Sequence, residues 1–152
     1  NRGGQKNIDC HAAFTNCTSL EVAALGAREG DNFFPSRVHH MFMNCTKLRR
    51  IIGVLNVVSI ESHSSPFVNT FSGCISLETL LLLNFKNNIS FANSPLISFG
   101  SLKYMITNAV NTSPITVTVH ADVYAKIQDE TNAEWHALIE TAAAKQITFA
   151  TA

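Results

Sequence analysis

Cysteine, histidine and carboxylate are the side chains in this chain whose types could do chemistry, and their spacing decides whether they do. The cysteines are Cys10, Cys17, Cys45 and Cys74, and the histidines are His11, His39, His40, His63, His120 and His136. A thiol nucleophile needs an accessible, activated cysteine beside a base. Cys10 has only His11 next to it, and adjacent residues rarely face each other. A reactive Cys10 is the feature that would support a thiol enzyme. Zinc sites need closely spaced cysteine pairs or a His-Glu-x-x-His helix. Neither pattern occurs, and His39-His40, the one adjacent pair, reads as a solvated loop. Asp122, Asp129, Glu130 and Glu134 cluster without the spacing of a calcium-binding EF-hand loop, and helix capping accounts for Glu134. The sequence therefore calls for no catalytic residue, no metal and no cofactor. Asn-x-Ser/Thr sequons begin at Asn16, Asn44, Asn88 and Asn111, two of them created by the repeat described next.

Three cysteines belong to a larger pattern. Phe-x-x-Cys-x-x-Leu occurs as Phe14-Cys17-Leu20, Phe42-Cys45-Leu48 and Phe71-Cys74-Leu77, with starts 28 and 29 residues apart. An apolar triplet recurring at such a period is the signature of stacked structural units. The three-residue spacing places Phe, Cys and Leu on one face of a tight helical turn, and an extended segment follows. Cysteine then fills a narrow buried slot as a free thiol rather than half of a disulfide. Asn16, Asn44 and Gly73 precede the three cysteines, and all tolerate unusual turn dihedrals. A degenerate fourth copy reads Leu96, Phe99, Leu102, with Met105 in its strand.

The connections carry turn signals: Gly26 to Arg37, Ser62 to Pro66 and Asn84 to Pro95. Beyond them Ile115, Val117 and Val119 alternate with Thr116 and Thr118, as in a half-buried strand. Val123, Tyr124 and Ile127 form a short helical face. Thr131-x-x-Glu134 reads as a capping box opening a helix with Trp135, Leu138, Ile139 and Ala142 on one side. Ile147-Thr148-Phe149 closes the chain as a strand.

Composition narrows the function classes. Formal net charge is zero and charged residues make up 14% against 46% hydrophobic, so the chain is ordered and lacks the electrostatic footprint of a nucleic-acid binder. No apolar run reaches the ~18–20 residues of a membrane helix. Asn1 is not an initiator, so the chain reads as a processed product or a fragment.

Phe-x-x-Cys-x-x-Leu-x-x-Ile/Leu resembles the leucine-rich repeat of BspA-like bacterial surface proteins. The run from Ile115 through Lys126 and that from Ala142 through Ala150 resemble the ending common in such proteins. The resemblance covers residues 10–152. It implies an α/β repeat fold: a short leucine-rich-repeat-like solenoid, with a strand ladder and short helical turns, and a C-terminal α/β cap. The expected organisation is residues 1–9 disordered or part of a preceding repeat, 10–112 solenoid, and 113–152 a strand-helix-strand cap. The family is exported to the cell surface and implicated in adhesion.

If Leu20, Leu48, Leu77 and Leu102 point inward, alternate strand residues point outward. The expected binding face is then Arg50, Ile52, Thr79, Leu81, Tyr104, Ile106, Thr116 and Thr118. Ile52, Leu81 and Ile106 would stack as an apolar strip, with Arg50 and Tyr104 as anchors. The bland alternative is that a loop such as Phe85 to Phe91, or a second copy, covers it. The functional expectation is a non-enzymatic binding or adhesion module of an extracellular or cell-surface bacterial protein. It would contact a protein or glycan on a host or microbial surface through the strand face. The alternative is a structural spacer or oligomerisation module of a larger surface protein, with self-association in place of a ligand.

Overall fold

The structure, a computed structural model, describes residues 8–61 and 65–152. In chain order the elements are β1 (Ile8–Asp9), β2 (Val22–Ala24), β3 (Asn32–Phe33), β4 (Pro35–Arg37), β5 (Arg50–Asn56), β6 (Thr79–Leu83), β7 (Ile89–Phe91), α1 (Phe99–Thr107), β8 (Ile115–Val119), α2 (Ala121–Gln128), α3 (Ala133–Ala143) and β9 (Ile147–Thr151). Among the described residues every strand pairing is parallel.

This corrects the expected fold class. In place of a leucine-rich-repeat-like solenoid with one strand ladder and a cap, the protein is a small mixed α/β fold. Its nine described strands fall into three separate sheets, accompanied by three helices. β1 pairs with β4. β5 is the centre of a second sheet, with β2 and β3 in tandem along one edge and β6 along the other. β7, β8 and β9 form the third. The reason lies in unequal connections. Gly26–Arg37, read as a loop, contains β3 and β4. The fourth copy has no strand at all: Met105 lies in α1, which Ser98 caps by accepting from the Ser101 amide. β7, from the stacked region, pairs with β8, from the expected cap, so one sheet crosses the 112/113 boundary.

The sequence triplets do meet across space. Phe14 stacks on Phe42 with ring centroids 5.2 Å apart, Phe42 on Phe71 at 6.1 Å, and Phe71 on Phe91 at 5.0 Å. The last pairing sets the fourth copy at Phe91-Ser94-Ile97 rather than at Leu96-Phe99-Leu102. The Ser94 hydroxyl donates to the Cys74 carbonyl, while Leu96 is exposed. The segments expected to be helical turns are instead successive i→i+3 turns. They are broken by left-handed residues at Asn16 (φ 62°), Asn44 (φ 60°) and Gly73 (φ 74°). These turns bond to their neighbours through backbone amides, such as Phe14 N–H to Met41 C=O and Phe42 N–H to Thr70 C=O. Asn44 Nδ2 also donates to Asn16 Oδ1 at 2.9 Å, so these two sequon asparagines serve packing.

One hydrophobic core runs from Cys10 through Phe149. In α2, Val123 and Ile127 enter it, and in α3 Leu138 and Ala142 do. The expected capping box does not form: Asn132 caps α3, and the Thr131 hydroxyl turns to Asp129. Ile8 and Asp9 form a short strand paired with β4, while residues 1–7 and Ser62–Ser64, with His63, lie outside the described residues. Among the described residues no helix is long and apolar enough to cross a membrane.

Candidate functional site

A groove of about 510 Å³ opens over β5 and β6, walled on one side by the first turn of α1 and on the other by the loop carrying Glu29. Its shape follows from two local features. The first is a bulge: Arg50 pairs with Thr79 but Val54 pairs with Leu81, so β5 carries two extra residues against β6. Gly53 sits in it at φ +92°, and a Cβ there would lie 2.9 Å from Gly26 N and 3.2 Å from Asp31 O. Glycine is therefore required for the loop from Gly26 to Asp31 to close against β5. The second is the docking of α1. Ser98 N–H donates to Glu78 C=O at 2.8 Å, and Leu80 N–H donates to Ser101 Oγ at 3.1 Å. These bonds fix the start of β6 against α1 and hold Tyr104 beside the groove.

The charged groups of the groove come in neutral pairs. Arg50 Nη2 lies 2.8 Å from Glu29 Oε1, and Arg49 Nε lies 2.9 Å from Glu78 Oε1. Glu78 raises the Arg49 guanidinium above its ordinary value, by hydrogen bond first and by charge second. Glu21, Arg49 and Glu78 occupy equivalent positions on neighbouring chain segments and bond through their backbones. They alternate in sign across the sheet.

Four of the expected binding residues line this groove: Arg50, Thr79, Leu81 and Tyr104. The others do not join them. Ile52 is half-buried at the bulge. Ile106 is fully buried, facing the core from α1. Thr116 and Thr118 lie half-buried on β8, in a different sheet. The apolar strip Ile52–Leu81–Ile106 therefore does not exist, because a helix turns Ile106 inward where a strand was expected. Tyr104 reaches the face from a helix rather than a strand. Phe85 and Phe91 are buried in the core and do not cover it. Sequence reasoning missed Glu29 and Glu78. The alternating signs of Glu21, Arg49 and Glu78 at the repeat period were a readable signal for Glu78; Glu29 had none.

Several of the other chemistry-bearing residues make packing or capping contacts. Cys45 Sγ and Cys74 Sγ donate to the carbonyls of Phe14 and Phe42 at 3.0 and 3.1 Å. Burial raises the thiols of Cys10 and Cys45, and pushes that of Cys74 up to about 12. All four cysteines are free; Cys17 alone is exposed, correcting its expected burial. His11 approaches His39 and His40 with ring centroids at 6.0 and 5.7 Å. His120 caps α2. Asp129 is held below its ordinary carboxylate value by the hydroxyl and then the amide of Thr131. Among the described residues no group of three or more metal-ligating side chains is arranged to hold an ion.

Comparison with protein-family models, with curated proteins and with solved structures finds no match to this chain.

Proposed function

We propose that this protein is a non-enzymatic binding module that captures a protein or glycan segment in the groove over β5 and β6. The observation that carries the reading is the groove itself. It is a concave site within the usual size range of ligand pockets, roughly 300–1,000 Å³. Its sides combine an aromatic residue, an aliphatic floor at Leu81 and several exposed polar groups. Anchors of this kind, on rigid strands and a helix, favour binding over transformation. Burial raises the ionisation of three of the four thiols and leaves Cys17 as the one exposed thiol, which does not line the groove. The likeness of the repeat and of the ending to BspA-like surface proteins favours an extracellular, adhesive setting.

A second reading, self-association, is favoured by Val22, exposed at 44% on β2. Among the described residues β2 pairs only with β5. An open strand edge invites pairing.

The test is a binding screen against immobilised matrix proteins and glycans, with an Arg50→Ala/Leu81→Asp variant alongside and oligomeric state measured by light scattering. Saturable binding lost in the folded variant supports capture in the groove. Binding that persists unchanged sinks it, and a stable dimer broken by Val22→Asp without any ligand favours self-association.

A further inference from the structure

We infer that the ligand of this groove is a neutral carbohydrate; the inference rests on the groove being a binding site. Three observations point away from a polypeptide strand and from a charged ligand. First, both edges of the floor are taken. β2 and β3 occupy one edge of β5, and α1 packs along β6, bonding it at Glu78 and Leu80 through Ser98 and Ser101. A peptide cannot add as a further strand here, which removes the main-chain bonds that give such complexes their affinity.

Second, the groove carries no unbalanced charge. Arg50 is matched by Glu29 within the groove, and Glu78 is matched by Arg49 reaching it from outside. An acidic or basic ligand would have to compete with a partner already in place.

Third, pairing does not exhaust the hydrogen-bonding capacity of these groups. A carboxylate accepts at about four lone-pair sites and a guanidinium donates through five N–H groups. Glu29, Arg50, Glu78 and the exposed Thr79 therefore present both acceptors and donors around one cavity. Sugar hydroxyls donate and accept at the same oxygen, so they answer such a mixture without any net charge. Tyr104 supplies the remaining element, an apolar ring face with a polar tip, against which the C–H face of a pyranose packs. The floor at Leu81 is apolar for the same contact.

The experiment is titration of the ¹⁵N-labelled protein with a panel of neutral tetrasaccharides: β-1,4-glucan, α-1,4-glucan, galactan, mannan and N-acetylglucosamine oligomers. Heparin fragments, sialyllactose and an extended basic peptide form the comparison set. Expected are amide shift changes confined to β5, β6 and the α1 turn with one of the neutral sugars. Its Kd should change less than about twofold between low and high salt, because no charge is neutralised. Tyr104→Ala, and separately the exposed-loop variant Glu29→Ala, should each weaken binding about tenfold or more with the remaining spectrum intact. Groove shifts with heparin, sialyllactose or the peptide alone overturn the neutral-sugar inference and leave the binding reading standing. No groove shift with any probe overturns the neutral-sugar inference, and the binding reading falls with it only if the screen against matrix proteins is also negative.

Discussion

The thiol of Cys74 donates to the carbonyl oxygen of Phe42 at 3.1 Å, across two neighbouring turns of the chain. The same bond joins Cys45 to Phe14 at 3.0 Å, while in the next turn the Ser94 hydroxyl donates to the carbonyl of Cys74 rather than of Phe71, at 3.0 Å. The column is thus a ladder of small donors, each adding a second bond to a carbonyl of the preceding turn that already accepts a backbone amide. A cysteine here is a hydrogen-bonded core residue, and burial pushes its ionisation from 9.0 up to about 12. The folded thiol therefore stays neutral at a pH where the unfolded one ionises. The stability this represents is complete below the unfolded value and is lost as pH rises toward the folded one. Urea midpoints should fall above pH ~9, with a slope of at most about 1.4 kcal/mol per pH unit from this group. Cys74→Ser, which keeps a donor but does not titrate in this range, should show a shallower decline than the parent. An identical pH profile in both proteins would remove Cys74 as the cause.

Reactivity toward a thiol reagent separates the same cysteines. Cys17 is exposed while Cys10, Cys45 and Cys74 are buried. Under native conditions one thiol should react promptly with an aromatic disulfide reagent, and Cys17→Ala should abolish that phase. The remaining three should react only on unfolding. Rapid labelling of Cys74 in the Cys17→Ala protein would contradict the packing described.

Gly53 makes the groove possible. At φ +92° any side chain is strained, and a Cβ would press on Gly26 N at 2.9 Å, a backbone atom with little room to move. Gly53→Ala should cost roughly 1–3 kcal/mol in chemical denaturation. It should also shift the amides of residues 26–31, since that loop must back away. A variant of parent stability with an unchanged loop would show that the bulge relaxes freely.

How much of this was legible in the sequence depends on whether a signal was local or relational. Phe14, Phe42 and Phe71 announced a stack by type and spacing, and their rings do stack. The alternation from Ile115 to Val119 placed β8 because period two is a backbone property. The next member of the phenylalanine stack was missed because its triplet, Phe91-Ser94-Ile97, lies 20 residues after Phe71 and replaces cysteine with serine. Leu96, Phe99 and Leu102 offered an equally good spacing, but there it is the period of α1, with Ser98 as its cap. That single misassignment carried Tyr104 and Ile106 onto an imagined strand, and with Ile106 one of the three members of the apolar strip. The division into three sheets was not legible at all. It arises from the bulge in β5 and from connections whose short strands, β3 and β4, are too brief to show a period.

The charge column offers a direct measure of a relation read from neighbouring segments. Arg49 lies against Glu78 at 2.9 Å, with Glu21 on its other side in the same column. The pair is substantially solvent-exposed, so its coupling in a double-mutant cycle of Arg49→Ala with Glu78→Ala should be only about 0.2–1 kcal/mol and should shrink in salt. Arg49→Glu places three carboxylates in a row and should destabilise more than Arg49→Ala, with the difference vanishing near 1 M salt. Equal stability of the two variants at low salt would mean that the column does not act electrostatically.

Lys145, just before β9, ties the entry to the third sheet to the end of α1. Its ammonium donates to the carbonyls of Thr107 at 2.8 Å and Ala109 at 3.0 Å, where α1 ends with no basic residue of its own. The backbone carbonyl of Lys145 in turn accepts from Asn111 Nδ2 at 2.6 Å. A cation at a helix C-terminus answers both the dipole and the carbonyls that lack intrahelical donors. Lys145→Met keeps most of the stem and removes the charge, so it should cost about 1–2 kcal/mol. Hydrogen exchange should quicken in the last turn of α1 before it does in β5 or β6. Because Tyr104 sits on that helix, the same variant should also weaken any ligand held in the groove, though less than Tyr104→Ala. Unchanged exchange in α1 would show that water replaces the ammonium without loss, and that the helix is held by its apolar face alone.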